Sequence, residues 1–202
     1  SDVERSGRRE VIGSEGEASR GPIVHVDGRG SIWLGTERGL LQLSARRPGM
    51  RWSAVGANIY PVVETSEEEI IFGRWDRRQW VQTTSGNFLS FSDRKSDQFG
   101  FPISLEIDAQ RRLWGAGGIV RVMDLDRRVP LTLVGPSDLD TDARALLSMP
   151  DGSMWIAFES DVWRLSNIQQ DGGILGADWT RVSLDSTRLE TAGFNRFMVQ
   201  LQ

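Results

Sequence analysis

Histidine and cysteine side chains carry out much of the nucleophilic and metal chemistry of proteins, and this chain has one His and no Cys. The absence of Cys excludes thiolate nucleophiles, zinc-thiolate sites and disulfides. His25 is therefore the only imidazole that could act as a general base. It stands between Val24 and Val26, and we interpret it as a packed or channel-facing residue. Its use with a nearby carboxylate in a lyase or hydrolase stays open as the alternative.

Three aspartates at alternate positions are the next candidates for chemistry. Asp138, Asp140 and Asp142 have the spacing that opens a calcium-binding loop. Such a loop continues with Gly at its sixth position and Glu at its twelfth, where this chain has Ala143 and Met149. We interpret the aspartates as part of a solvated loop, and we predict neither a metal site nor a cofactor.

Runs of charge and of glycine point to no catalytic site. Glu67, Glu68 and Glu69 are consecutive like charges, which we interpret as a solvated hairpin tip. The glycine-rich segment at 115–118 lacks the spacing and the lysine of a phosphate-binding loop, and no G-x-S-x-G motif of serine hydrolases occurs. We therefore expect a chain that is not itself an enzyme.

The overall charge limits the classes of partner. The 202 residues include 24 Lys and Arg against 28 Asp and Glu, a formal net charge of −4. No global attraction to nucleic acid follows from this charge, and we expect no nucleic-acid partner. The pairs Arg46–Arg47 and Arg127–Arg128 are interpreted as a solvated rim. No apolar run approaches the roughly 18 residues that span a bilayer.

An internal repeat organises the chain. Four segments share an apolar pair, a turn, an apolar core residue, a small residue and a second apolar strand. Their core residues, called anchors below, are Trp33, Ile71, Trp114 and Trp155, separated by 38, 43 and 41 residues. A period of about 40 residues with four short strands per repeat is typical of propeller blades. We predict an all-β propeller of four to five four-stranded blades within one domain, residues 1–202, with blade cores near 24–43, 62–91, 105–122 and 146–165.

Alternation of side chains supports strands rather than helices. In the segment 31–35 successive residues point to opposite faces, and both faces are apolar or small, as a sheet packed between two neighbours requires. The segments Met50–Val55 and Ala177–Val182 are predicted as outermost strands, and Asp142–Leu147 as an innermost strand. The Asp27–Gly30 segment has the residues of a tight turn.

The first repeat contains the segment Asp27-Gly28-Arg29-Gly30-Ser31-Ile32-Trp33-Leu34-Gly35-Thr36, followed by Gly39-Leu40. This segment resembles the two-component regulator propeller repeat and matches almost every position of it. The segment Asp151–Ala157 is a second match, and Asp108–Gly115 a weaker one without the turn glycine.

The resemblance implies a sensor in the periplasmic or extracellular part of a bacterial inner-membrane regulator. In that family the propellers are commonly seven-bladed, and a linked kinase or cyclase module provides the output. The resemblance thus implies a non-catalytic, ligand-sensing domain whose partners include other domains of the same receptor. We expect this chain to be part of a larger ring, with a partial blade at 186–202 and self-association through exposed blade edges.

Ligand contacts are predicted on the turns between the second and third strands of each blade. Trp75 does not recur with the repeat, which makes it the leading candidate, together with its neighbour Arg74. The corresponding turns of the first and last blades contribute the other candidates, which are Thr36, Arg38, Phe158 and Glu159. The ligand itself is not specified by the sequence, and an oligosaccharide is the expected class. A constitutive protein-interaction scaffold is a further alternative.

Overall fold

A computed structural model of the chain describes residues 23–44, 50–55, 59–74, 80–84, 88–90, 103–137, 139, 142–158 and 161–182. These residues form strands and turns and contain no helix. The all-β prediction is confirmed. The predicted partial blade at 186–202 lies outside the described residues.

The strands fall into four consecutive groups of four, here called units 1 to 4. Unit 1 contains β1 (Ile23–Val26), β2 (Ile32–Thr36), β3 (Gly39–Leu43) and β4 (Met50–Val55). Unit 2 contains β5 (Ile59–Glu64), β6 (Ile70–Arg74), β7 (Trp80–Thr83) and β8 (Phe88–Ser90). Unit 3 contains β9 (Ser104–Ile107), β10 (Arg112–Ala116), β11 (Arg121–Asp124) and β12 (Val129–Leu133). Unit 4 contains β13 (Ala143–Ser148), β14 (Met154–Phe158), β15 (Val162–Asp171) and β16 (Ile174–Val182).

Each unit is an antiparallel meander, in which every strand pairs with the next one along the chain. Units 3 and 4 repeat this order. The first strands of the units lie side by side in succession, since β1 contacts β5, β5 contacts β9 and β9 contacts β13. The predicted outer strand Met50–Val55 is observed as β4, and the predicted inner strand at 142–147 is observed as β13.

The hydrophobic core is divided into three clusters, one for each boundary between consecutive units. Every unit has a front face, which carries its anchor residue, and a back face, which carries the residues on either side of the anchor. Trp33 on the front face of unit 1 packs with Ile70 and Phe72 on the back face of unit 2. Units 2 and 3 meet through Ile71 and Leu113. The largest cluster joins units 3 and 4, as expected of repeats that bury their apolar faces against neighbours.

A long hairpin strengthens the boundary between units 3 and 4. Strands β15 and β16 extend beyond their unit, and β16 pairs in parallel with β12 of unit 3 through Thr132↔Ile174 and Leu133↔Leu175. The indole Nε1 of Trp179 donates to the carbonyl of Val134 at 2.9 Å. This hairpin therefore converts two meanders into one continuous eight-stranded sheet.

Candidate functional site

The turn before the anchor strand has the same hydrogen bonding in units 1 and 3. The Asp27 carboxylate accepts hydrogen bonds from the backbone N–H groups of Arg29 and Ser31, and its Oδ2 accepts one from Trp33 Nε1 at 2.8 Å. Asp108 bonds in the same way to residues 110, 112 and 114. Burial alone would raise the pKa of Asp27, but the hydrogen bonds from Trp33, Ser31 and Arg29 outweigh it and lower the pKa. These aspartates are structural residues.

Units 2 and 4 build this turn with other side chains. In unit 2 the Oγ1 of Thr65 accepts from the backbone N–H groups of Glu67 and Glu69. In unit 4 Met149 stands six residues before the anchor, so it occupies the position of the aspartate. Asp151 bonds instead to the backbone N–H and hydroxyl of Ser153. Asp151, four residues before its anchor, therefore does not take the place of Asp27, which stands six residues before its own anchor.

The fourth residue of this turn has a positive φ in every unit. Gly30 and Gly152 adopt 77° and 81°, and Glu68 and Arg111 adopt 60° and 59°. Glycine adopts a positive φ readily, whereas for other residues this conformation is less stable by about 1–2 kcal/mol. The absent glycine that weakened the match in unit 3 thus leaves the turn geometry unchanged.

Charged side chains link the turns of neighbouring units. Arg29 of unit 1 pairs with Glu68 of unit 2. Arg111 of unit 3 reaches Glu67 of unit 2 at 2.8 Å and Asp126 of its own unit at 2.8 Å. The hydrogen bond to Asp126 is the main cause that raises the pKa of Arg111. Glu67 and Glu68 are therefore partners in ion pairs between units, which corrects their interpretation as a merely solvated tip.

His25 lies beside a carboxylate at the boundary between units 1 and 2. Its Nε2 is 3.7 Å from Oε2 of Glu64, and the two side chains are 25% and 17% exposed. The same Oε2 accepts the backbone N–H of Gly28 at 2.9 Å. Nε2 is buried and has no hydrogen-bond partner among the described residues. An imidazole next to a carboxylate is an arrangement that general-base chemistry can use.

Glu106 occupies the corresponding position in unit 3, eight residues before the anchor, as His25 does in unit 1. It lies at the boundary with unit 4, where the backbone N–H of Ser148 donates to its carboxylate. Burial raises the pKa of Glu106 to about 7, and the Ser148 hydrogen bond offsets only part of this rise. Sequence reasoning missed this residue, although alignment on the anchors places it on His25.

Those predicted ligand-contact residues that the structure describes lie at the end of the units opposite the Asp turns. Thr36 Oγ1 donates to the carbonyl of Gly39 at 2.9 Å and accepts the backbone N–H of Arg38, so it closes the β2–β3 turn. The backbone of Arg74 ends β6. Phe158 is 1% exposed and belongs to the core between units 3 and 4, which leaves it no surface for a ligand. Trp75 and Glu159 lie outside the described residues.

The structure describes only some residues of the aspartate triplet and of the arginine pairs. Asp142 pairs with Arg144, while Asp138 and Asp140 lie outside the described residues. Over the described ranges, no group of three or more His, Asp and Glu side chains is placed to hold a metal ion. Arg127 lies 3.9 Å from Asp124 at the end that carries the Asp turns. The other arginine pair predicted on this rim, at 46–47, lies outside the described residues.

Comparison with solved structures reveals the type of fold. A catalytically inactive virginiamycin B lyase from Staphylococcus aureus, solved with quinupristin, matches with a TM-score of 0.61 at 10% identity, covering 84% of this chain and 58% of the lyase. The WD40 β-propeller domain of Doa1 matches with a TM-score of 0.52 at 9% identity, covering 69% and 47%. The chain has a β-propeller fold. The number of blades in a complete ring stays a prediction.

The extracellular domain of a two component system is among the similar structures. The extracellular domain of BT4673, assigned to a hybrid two component system of Bacteroides thetaiotaomicron, matches with a TM-score of 0.55 at 12% identity. The match covers 72% of this chain and 22% of that domain. This chain therefore spans little more than half of the lyase and about a fifth of that extracellular domain.

No protein-family model and no curated protein matches the chain. The resemblance to the two-component regulator propeller repeat consequently rests on the motif residues and on the shared fold. Among the described residues, no helix is long and apolar enough to cross a membrane.

Proposed function

We propose that this chain is a non-catalytic sensing segment of a bacterial membrane-bound regulator and lies on the extracytoplasmic side. The single observation that carries the proposal is that the two ends of the units differ: one end has a repeated structural role, and the other varies in sequence. At one end, the repeated polar residues are engaged in holding turns and neighbouring units, as with Asp27, Asp108 and Arg111. At the other end, the turns after the anchor strands differ in sequence from unit to unit.

A constant scaffold with variable turns suits recognition, because loops on a rigid framework can change without loss of the fold. Arg38 is exposed on the β2–β3 turn. Arg74 is the last residue of β6, and Trp75 follows it in the sequence. Aromatic rings and guanidinium groups suit an oligosaccharide, above all one with carboxylates. Capture of such a ligand would shift the packing of linked domains of the same receptor towards one of their existing states. The likeness in fold to the extracellular domain of a hybrid two component system supports this proposal.

The proposal is tested by binding. A panel of neutral and uronic-acid-containing oligosaccharides is screened by thermal shift and titration calorimetry. We expect at least one class to raise the melting temperature, and we expect Arg38→Ala or Trp75→Ala to weaken its binding about tenfold, the loss of one charged or stacking contact. Arg127→Ala is the matched control, because its exposed guanidinium lies at the opposite end. Equal weakening by Arg127→Ala would contradict the assignment of the binding end. A stable protein complex with no response to any oligosaccharide would favour a scaffold instead.

A second candidate function is an enzyme that uses His25 and Glu64. The 3.7 Å approach of Nε2 to Oε2 favours it, and one of the similar structures is a lyase. The test is turnover of the oligosaccharides that bind, followed by product analysis. Loss of turnover in both His25→Ala and Glu64→Gln with retained binding would support an enzyme, whereas binding without turnover would support the sensor.

A further inference from the structure

Three Asp–Gly dipeptides occur in the chain, at 27–28, 151–152 and 171–172. The side-chain carboxyl group of an aspartate lies near the backbone nitrogen of the next residue, and a glycine leaves that nitrogen unhindered because it has no Cβ. Attack of the nitrogen on the carboxyl carbon closes a five-membered succinimide ring, and hydrolysis of the ring can leave an isoaspartate in the main chain. The folded protein permits the reaction only where both groups are free to approach each other.

The dipeptide at 27–28 is held on both sides of the reacting bond. The Asp27 carboxylate accepts hydrogen bonds from the backbone N–H of Ser31 at 2.7 Å and from Trp33 Nε1 at 2.8 Å. The backbone N–H of Gly28 donates to Oε2 of Glu64 at 2.9 Å. The lowered pKa of Asp27 also keeps its carboxylate ionised, and an ionised carboxylate has no hydroxyl group to lose as water.

The dipeptide at 151–152 is held in a comparable way. The Asp151 carboxylate accepts from the backbone N–H and the hydroxyl of Ser153, and it pairs with Arg164 at 2.9 Å. The hydrogen bond from the Ser153 hydroxyl is the main cause that lowers the pKa of Asp151. The backbone N–H of Gly152 donates to the carbonyl of Met149 at 3.0 Å. Both reacting groups are therefore engaged.

The third dipeptide lies at the tip of the β15–β16 hairpin and differs from the other two. Asp171 pairs with Ile174, so Gly172 and Gly173 alone form the turn. These four residues are exposed, and Gly172 has a φ of 59° with no atom within 4 Å of an added Cβ. Neither the Asp171 carboxylate nor the backbone N–H of Gly172 has a hydrogen-bond partner among the described residues. Small openings of such an exposed tip bring the two groups together.

We propose that Asp171–Gly172 is a modification site at which isoaspartate forms, and that the isomer weakens the pairing of β16 with β12. The nitrogen of Gly172 forms a bond to Cγ of Asp171, and one carboxyl oxygen leaves as water. Water then adds to the former main-chain carbonyl carbon of Asp171 and breaks its bond to the nitrogen of Gly172. The main chain afterwards runs through Cβ and Cγ, and the α-carboxylate becomes the side group. No oxidant or reductant is needed.

The extra main-chain atom lies immediately before the residues that join units 3 and 4. The backbone N–H of Thr132 donates to the carbonyl of Gly173 at 2.8 Å, and the backbone N–H of Val134 donates to the carbonyl of Leu175 at 3.0 Å. A longer chain at the turn changes the register in which β16 meets β12. This proposal does not depend on the sensing function, because it rests only on the hairpin tip.

Ageing of the full chain at physiological temperature, in buffer and in urea, tests the site. The three dipeptides fall in different tryptic peptides, 21–29, 145–164 and 165–181. Isoaspartate is measured in each by enzymatic methylation with a protein isoaspartyl methyltransferase and by electron-transfer fragmentation. We expect it to accumulate in 165–181 of the folded protein at least about tenfold faster than in the other two peptides. In urea the three peptides should react at similar rates.

Asp171→Glu is the matched control, because it keeps the charge but would need a six-membered ring, which forms far more slowly. The isoaspartate signal should disappear from 165–181 of this variant and stay unchanged in 21–29. Equal rates for the three peptides in the folded protein would overturn the site. Reaction of 165–181 in urea but not in the folded protein would overturn it as well, because the hairpin tip would then be protected.

Hydrogen exchange tests the effect on the sheet. We expect the amides of Thr132 and Val134 to exchange faster in aged wild-type protein than in fresh protein, and to stay unchanged in aged Asp171→Glu. Unchanged exchange of these amides in protein that carries the isomer would overturn the weakening of the β12–β16 pairing.

Discussion

The indole Nε1 of Trp114 donates a hydrogen bond of 2.8 Å to Oδ2 of Asp108, six residues earlier in the chain. The same oxygen accepts from Nε of Arg112 at 2.5 Å, and the Asp108 and Arg112 side chains are both 3% exposed. The guanidinium also lies over the Trp114 ring, 5.9 Å from its centroid. One carboxylate thus holds a turn, an anchor and a buried cation.

Removal of Asp108 should therefore cost more than removal of Asp27. Asp108→Ala leaves the Arg112 guanidinium buried without its partner, and we expect a loss of about 3–5 kcal/mol in the free energy of unfolding. Asp27→Ala removes hydrogen bonds but leaves no buried cation unpaired. We expect it to lower the free energy of unfolding by about 1–3 kcal/mol. Urea unfolding measures both. Equal losses in the free energy of unfolding for the two variants would mean that the Asp108–Arg112 ion pair does not contribute to stability.

The buried carboxyl of Glu106 should make stability depend on pH. Its pKa is about 7 in the folded protein against 4.5 for an ordinary Glu, so between these values the folded state holds a proton that the unfolded chain has released. Holding this proton stabilises the folded protein. The stabilisation is fully present below about pH 4.5 and is lost as the pH rises through 7.

Glu106→Gln should remove that slope and stabilise the protein at pH 8 by at most about 3 kcal/mol. The measurement is urea unfolding at pH 5 and pH 8, with the exposed Glu67→Gln as the control that keeps the wild-type difference. A Glu106→Gln variant with an unchanged difference between the two pH values would disprove the role of Glu106.

Gly35 should not tolerate a methyl group. A Cβ at this position would lie 2.8 Å from the carbonyl oxygen of Ile59 in the first strand of unit 2, and the backbone cannot yield without moving the unit. We expect Gly35→Ala to lower the free energy of unfolding by about 1–3 kcal/mol. Gly176→Ala is the matched control, because no atom lies within 4 Å of its added Cβ. Similar melting temperatures for the two variants would contradict the close approach.

Arg111→Met should weaken the link between units 2 and 3 in a salt-dependent way. The guanidinium is paired with Glu67 and Asp126 at the surface, where salt screens the attraction. We expect a small lowering of the urea midpoint at low salt that disappears in about 1 M NaCl. A loss that persists at high salt would instead indicate that the Arg111 side chain stabilises the turn by packing.

The anchor spacing and the turns could be predicted from sequence because each depends on residues close together in the chain. Trp33 recurs as Trp114 and Trp155 at a nearly fixed period, and the small residue two positions after the anchor recurs as Gly35, Ala116 and others. Strand positions follow from this pattern.

The contacts between units could not be predicted in this way, because they depend on the rotation of one sheet against the next. Nothing in the local pattern pairs His25 with Glu64 or Arg29 with Glu68. Burial of Phe158 was likewise missed, since a residue at a strand end can face either the turn or the core. The position of Glu106 was within reach, since its distance from the anchor equals that of His25.

The pairing of β16 with β12 has a consequence for cutting and recombining the repeat. A cut between units 2 and 3 separates surfaces held by side chains, whereas a cut between units 3 and 4 breaks backbone hydrogen bonds such as that from Val134 to Leu175. The natural module for transplantation is therefore the pair of units 3 and 4. In hydrogen exchange, the amides of these two units should open together, and those of unit 1 should open independently.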